Sequence, residues 1–139
     1  MIVFLDTNVF LYGLKDEKSN SRKVLDLAEE GKIKAVVSEL VLEEVSIVFE
    51  RLYGVQESYL AAKYAKSLCS VISRNKILKE LKKFRGKIKE KDLENLATVK
   101  ALKINFLVSF DRDYKEFEEH FTPKQFLIKI GWSAGKSEY

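Results

Sequence analysis

Two short apolar runs, far apart in the chain, each stop at a carboxylate. Ile2-Val3-Phe4-Leu5 ends at Asp6, and Phe106-Leu107-Val108-Ser109-Phe110 ends at Asp111. Runs of this length bounded by polar residues fit buried parallel strands. A carboxylate that directly follows such a strand lies at the carboxyl edge of the sheet, where open α/β folds place their ligand sites. Two of them concentrate negative charge in one pocket, an arrangement that a cation stabilises.

The remaining pattern alternates strands with helices. Strands are expected at Ile2–Leu5, Lys34–Val37 and Asn105–Ser109. Thr7–Leu14 reads as a short helix, followed by a polar loop, Lys15–Ser21. An amphipathic helix carries Val24, Leu25, Leu27 and Ala28, and Gly31 sits where a helix-ending glycine belongs. Ser38 is placed to cap a helix over Glu39–Tyr53 that ends at Gly54. Val55–Ile72 reads as helix, as do Asp92–Lys103 and Tyr114–His120, whereas Thr122–Ile130 has no firm assignment. Strands separated by helices predict a parallel sheet covered on both faces. The expectation is one α/β domain over residues 1–131, with residues 132–139 as a flexible tail.

Scarcity narrows the chemistry. A chain of 139 residues with one histidine, His120, and one cysteine, Cys69, cannot build His-rich or Cys-rich zinc sites or an internal disulfide. A catalytic triad would depend on His120, which lies in an acidic stretch. No apolar stretch approaches a membrane span. The N-terminus lacks the basic region of a signal peptide and meets Asp6 at once, so a reducing cytoplasm is the expected location. If the chain is an enzyme, carboxylates carry the reaction.

Two further acids are candidates. On the Glu39–Tyr53 helix, Val41, Val45, Val48 and Leu52 form a stripe that must face the core. Glu43 and Glu50 point away from it, whereas Glu44 flanks it and can lean over the sheet edge. Asp92 opens the helix leading into the last strand; it is either a helix-capping charge or a site residue, and spacing alone leaves both readings open.

The net charge of +4 is unevenly spread. Lys76–Lys91 holds eight basic residues against Glu80 and Glu90, and the rest of the chain is slightly acidic. Ile77, Leu81, Phe84 and Ile88 recur at helical spacing, so this segment reads as an amphipathic helix that Gly86 ends or bends. Lys79, Lys82, Lys83 and Lys87 are its candidates for contact with a polyanion, RNA above all. The competing reading is a solvated helix face.

Taken in order, the acidic segments resemble those of PIN-domain nucleases, the family of VapC-type toxin ribonucleases and several RNA-processing endonucleases. Phe4-Leu5-Asp6-Thr7-Asn8-Val9 is similar to the opening motif, and Ser38 followed by Glu44 to the second. Asp92-Leu93-Glu94-Asn95-Leu96-Ala97 resembles the third, with Asn95 where His is frequent. Leu107-Val108-Ser109-Phe110-Asp111-Arg112-Asp113-Tyr114 resembles the fourth, with Ser109 where Thr is commoner, and Thr122-Pro123-Lys124-Gln125-Phe126-Leu127 resembles the usual close. No single motif is specific; the ordered set is. The lengthened basic middle is not a general family trait.

The resemblance implies a three-layer α/β/α sandwich around a short, mainly parallel sheet. It implies a metal-dependent endoribonuclease, either the toxin of a type II toxin–antitoxin pair or an RNA-processing enzyme, with a non-catalytic RNA-binding scaffold as a further alternative. Asp6, Glu44, Asp92 and Asp111 would hold Mg²⁺ or Mn²⁺, since hard cations take oxygen ligands. Asp113 would be a weaker ligand, and Asn8 and Ser109 would orient the carboxylates. Phosphatases of the haloacid-dehalogenase type open similarly but place Asp where this chain has Asn8, and a receiver-like domain would need an adjacent acidic pair after its first strand. RNA, a second copy of the chain and an antitoxin protein are the expected partners, with no membrane. The aromatics Phe49, Tyr53, Tyr59, Tyr64 and Phe84 are expected at an interface, or else in the core.

Overall fold

The computed structural model describes all 139 residues. Both runs that frame the sequence are adjacent strands. β1 (Ile2–Leu5) pairs in parallel with β4 (Phe106–Val108), Phe4 opposite Leu107 and Leu5 opposite Val108. On its other side β1 pairs with β2 (Lys34–Ser38), Val3 opposite Ala35. Val3, Phe4, Leu5, Leu107 and Val108 are fully buried. Burial on both faces of the sheet is what continuous apolar strands signal.

Two strands that the sequence did not disclose complete the sheet, whose order is β3-β2-β1-β4-β5. β3 (Ser70–Ile72) lies within the segment expected to be helix through Ile72, and pairs in parallel with β2. The helix α4 (Val55–Leu68) stops where Cys69 turns extended, and Ser-Val-Ile joins the edge. β5 (His120–Phe121) replaces the end of the expected Tyr114–His120 helix; only a single turn, Arg112–Tyr114, forms there. A two-residue edge strand has no periodicity to read. It is held by β4 and by a 2.8 Å hydrogen bond between His120 Nε2 and the Ser109 carbonyl.

Connections define the layers. α1 (Thr7–Lys15) and α2 (Asn20–Glu29) join β1 to β2, and α3 (Glu39–Tyr53) and α4 join β2 to β3. Both crossovers move outward in the same direction, so the right-handed rule puts all four helices on one face. There α3 packs on α4 and α1 on α2. α5 (Leu78–Phe84) and α6 (Glu90–Ala101) carry the chain back from β3 to β4, which puts them on the opposite face. α7 (Pro123–Lys129), the segment without a firm assignment, packs on α2. Thr122 and Gln125 form a reciprocal capping box at its start, with Pro123 in the first turn. The result is an α/β/α sandwich whose winding reverses between β1 and β4, the point where such folds open a crevice at the carboxyl ends of the strands.

Three local expectations are corrected. The buried stripe of α3 is Val41, Val45 and Phe49, with Leu52 54% exposed, because the aromatic ring takes the core position over Val48. The basic segment is not one helix: α5 ends at Phe84, Gly86 turns the chain at φ +88°, and Ile88 packs against the core from beyond that turn. α6 starts at Glu90, so Asp92 stands inside its first turn, and the capping position belongs to Lys89.

Gly13 lies at a close approach of α1 to α2. A Cβ there would lie 2.5 Å from Leu25 Cδ1 and 3.2 Å from the Ser21 backbone. The segment 132–139 lies against the start of α2: Gly135 N–H donates to Asn20 Oδ1 at 2.7 Å, and Ser21 N–H to the Tyr139 carbonyl at 2.7 Å. The Tyr139 ring stacks on Tyr12. No helix is long and apolar enough to cross a membrane.

Candidate active site

Asp6 is the pivot of the crevice. Its backbone N–H continues the ladder to the Val108 carbonyl, and its carboxylate turns back to cap α1. Oδ1 accepts from Thr7 N–H at 2.7 Å and from Asn95 Nδ2 at 3.3 Å, and Oδ2 accepts from Ser109 Oγ at 2.5 Å. Burial raises its pKa, against the pull of the Ser109 and Thr7 hydrogen bonds; Asp111 raises it further. The donors fix the carboxylate without neutralising it.

The other acids arrive from three elements. Glu44, on α3, is half-buried and accepts from Thr7 Oγ1 at 3.1 Å; its pKa is raised by burial, then by repulsion from Asp6 and Asp92. Asp92 projects inward from α6, and burial pushes it up to about 6. Asp111, just after β4, caps the following turn by accepting from Asp113 N–H at 2.9 Å. Asp113 is held down to about 2, first by its hydrogen bond from Lys91. One oxygen each from Asp92, Asp111 and Asp113 lie within 4.8 Å of one another, a spacing that a single metal ion can bridge. Asp6 and Glu44 stand beside this trio rather than in it, close enough for their charges to couple with it. All the donors are carboxylate oxygens, and Cys69 is buried in the core, so the set suits a hard divalent ion rather than zinc.

Asn8 and Ser109 stand where they can orient this set. Asn8 accepts from Phe110 N–H at 3.3 Å and donates to Ser109 Oγ at 3.5 Å, and Ser109 Oγ also accepts from Asp111 N–H at 2.9 Å. Ser109 therefore couples the two strand-end aspartates directly.

Four participants were missed from the sequence. Asn95 donates to Asp6 and to the Tyr114 hydroxyl, and accepts from Ser38 Oγ at 2.6 Å; it ties β1, β2 and α6 together. Its spacing of three from Asp92 puts both on one helix face, which was the available signal. Tyr114, fully buried, donates to Asp92 at 3.4 Å. Thr7 bridges Asp6 and Glu44. Lys91 sets its ammonium among Asp92, Asp111 and Asp113 at 2.9, 2.8 and 3.1 Å. Glu43, expected to be merely solvated, forks onto the Arg74 guanidinium at 2.8 Å, and Arg74 also reaches Glu94 at 2.6 Å, so this group fastens α3 to α6.

The structure does not bring the basic candidates into the acidic pocket. Lys79, Lys82 and Lys83 lie exposed on α5. Lys87 lies nearer: with Lys89, Arg112, Lys115 and Asp113 it lines a cleft of about 210 Å³ at the edge of the acidic trio.

Comparison with known proteins identifies the fold and the family. The family described as PIN domain matches residues 3–119. No curated protein matches the sequence. Among solved structures, VapBC2 from Rickettsia felis, bound to a DNA fragment from its promoter, superposes with a TM-score of 0.67 at 18% identity, covering 84% of this chain and 92% of that one. A toxin–antitoxin complex from Klebsiella pneumoniae gives 0.67 at 18%, covering 87% and 97%. VapC20 of Mycobacterium tuberculosis, described as a sarcin–ricin loop cleaving toxin, gives 0.64 at 17%, covering 84% and 94%. At these identities the structural likeness speaks for the fold, and the family match spans most of the chain. This chain is a member of the PIN domain family.

Proposed function

We propose that the protein is a divalent-metal-dependent endoribonuclease and acts as the toxin of a toxin–antitoxin pair. The observation that carries the first half is the convergence of five carboxylates from β1, α3, α6 and the β4 loop on the point where the sheet's winding reverses. Burial raises the pKa values of Asp6, Glu44 and Asp92, and neighbouring carboxylates raise each of them further, a cost that a bound cation would offset. The toxin role rests on the toxin–antitoxin structures among the fold's neighbours.

Asp92, Asp111 and Asp113 would bind Mg²⁺ or Mn²⁺, with Asp6 and Glu44 completing the charge around it. The bound ion supplies Lewis acidity, polarising the phosphodiester and making water a better nucleophile at neutral pH. The chain's own groups do the positioning. Ser109, Asn95 and Thr7 hold Asp6 in one orientation, so that its negative charge is fixed before substrate arrives. Glu44, with its raised pKa, faces the same pocket and can take the proton that attacking water releases. The basic cleft of Lys87, Lys89, Arg112 and Lys115 borders the acids and suits the RNA backbone leading to them.

The test is cleavage of structured and unstructured RNA by purified protein with Mn²⁺, Mg²⁺ or EDTA. Cleavage should require the ion. Asp6→Asn keeps shape but removes charge, and should lower the rate about a hundredfold or more. Activity that persists in EDTA would overturn the reading.

A further inference from the structure

Lys91 is in an unusual place for a lysine. It occupies the first turn of α6, the positive end of the helix dipole, where a cation is unfavourable. What holds it there is the acidic trio: its ammonium donates to both oxygens of Asp92, at 3.1 and 2.9 Å, and to Asp111 Oδ2 at 2.8 Å, and pairs with Asp113 Oδ2 at 3.1 Å. These are the same three side chains whose oxygens lie close enough together to hold one metal ion. An ammonium with three carboxylate partners sits at the centre of that oxygen set. A divalent cation bridging the same oxygens would lie within a few ångströms of it, and at such separations two cations exclude each other.

We propose that Lys91 is the site's internal counter-ion, exchanged for the divalent metal when the metal binds. Lys91 is a positioning residue: it keeps Asp92, Asp111 and Asp113 gathered, and it sets a threshold that the metal must overcome. Its side chain is 58% exposed, whereas that of Asp92 is 7% exposed, so the lysine end of the pair can swing into water while the carboxylate stays in place. Once displaced, the ammonium lies at the rim with Lys87 and Lys89, where RNA phosphate is the available anion. The neighbouring Lys89 provides an internal contrast, because it reaches only Asp113, at 3.2 Å, from the periphery of the trio. The inference rests on the reading of the acidic pocket as a divalent-metal site.

Mn²⁺ titration by calorimetry on metal-stripped protein, without RNA, tests it. Lys91→Gln should bind Mn²⁺ about tenfold more tightly than the wild type, because the competing cation is gone. Lys89→Gln removes the same charge from the periphery and should tighten binding by less than about threefold. Lys91→Arg keeps a cation and should stay within about threefold of the wild type. In EDTA, Lys91→Gln should melt below the wild type, and saturating Mn²⁺ should remove that deficit. Equal affinities for wild type and Lys91→Gln would overturn the exchange while leaving the metal site intact, as would tightening in Lys89→Gln that matches Lys91→Gln. Absence of Mn²⁺ binding by all four proteins would overturn the metal site itself, and the exchange with it.

Discussion

Glu43 and Glu44 are neighbours in sequence with opposite environments. Glu44 is half-buried beside Asp6, whereas Glu43 is held at the surface by Arg74. Glu44→Gln should therefore lower RNA cleavage at least tenfold. Glu43→Gln should leave it within about twofold and cost at most about 1 kcal/mol of stability, the range of exposed ion pairs. Comparable rates for the two variants would undo the assignment of Glu44. A pH dependence follows from the same residues. Asp92 is raised from its ordinary 3.8 to about 6, and Asp6 and Glu44 are raised as well, all first by burial. At these three groups the folded state binds more protons than the unfolded one, so their contribution to stability falls as pH rises through the window from about 4 to 6. Melting of metal-stripped protein in EDTA should accordingly move to higher temperature from pH 7 to pH 5, and Asp92→Asn should flatten that slope. Below about pH 4 the sign reverses, as Asp113, held down to about 2, loses its pairing with Lys91. A wild-type melting point that falls from pH 7 to pH 5 would contradict this account. At this scale Asp6 and Asp111 stood out because a carboxylate after an apolar strand is a positional signal; Glu44 stood out only as the flank of a core stripe, and Asp92 only through the family resemblance. Asn95, Tyr114 and Lys91 were not, because each acts through a partner distant in sequence, and single residue types reveal no partners.

Among the elements, length decided what could be read. β1, β2, α3 and the core of β4 carry enough apolar residues in sequence to establish a period. β3 and β5, with three and two residues, are strands only because β2 and β4 offer them an open edge. The basic segment shows the opposite failure: Ile77, Leu81, Phe84 and Ile88 keep helical spacing, yet a turn at Gly86 lies between the last two, and tertiary packing rather than one helix buries them. Its charges keep their meaning. Arg85, Lys89 and Lys91 are paired with carboxylates, while Lys79, Lys82, Lys83 and Lys87 are exposed and without an ion pair. Reversing those four to Glu should weaken RNA binding, measured for an Asp6→Asn background to prevent cleavage. It should also reduce the slope of log K against log salt by about two to three, given roughly 0.7 per single-strand phosphate contact. An unchanged slope would show that α5 presents a solvated face and nothing more.

The whole molecule exposes its apolar surface unevenly. Of the fourteen large hydrophobic residues exposed, six fall between positions 47 and 60: Ile47, Leu52, Tyr53, Val55, Tyr59 and Leu60. Single exposed hydrophobics are ordinary, but a concentration on one helical hairpin suits contact with a partner. The aromatics of this region divide accordingly: Phe49 is buried in the core and Tyr64 packs partly against it, whereas Tyr53 and Tyr59 are 43% and 65% exposed. Core filling therefore explains only part of the aromatic content, and the outward rings are suited to anchoring a partner. A homodimer through the α3–α4 hairpin is the expected assembly, with the acidic crevice at the strand ends left open to RNA. Light scattering at tens of micromolar should give twice the 16.1 kDa chain mass. Leu52→Asp with Val55→Asp should reduce the mass to that of a monomer while preserving the fold, since both side chains lie more than half in solvent. A strictly monomeric wild type, with no partner present, would exclude the homodimer and leave the hairpin to a different protein, for which an antitoxin is the first candidate.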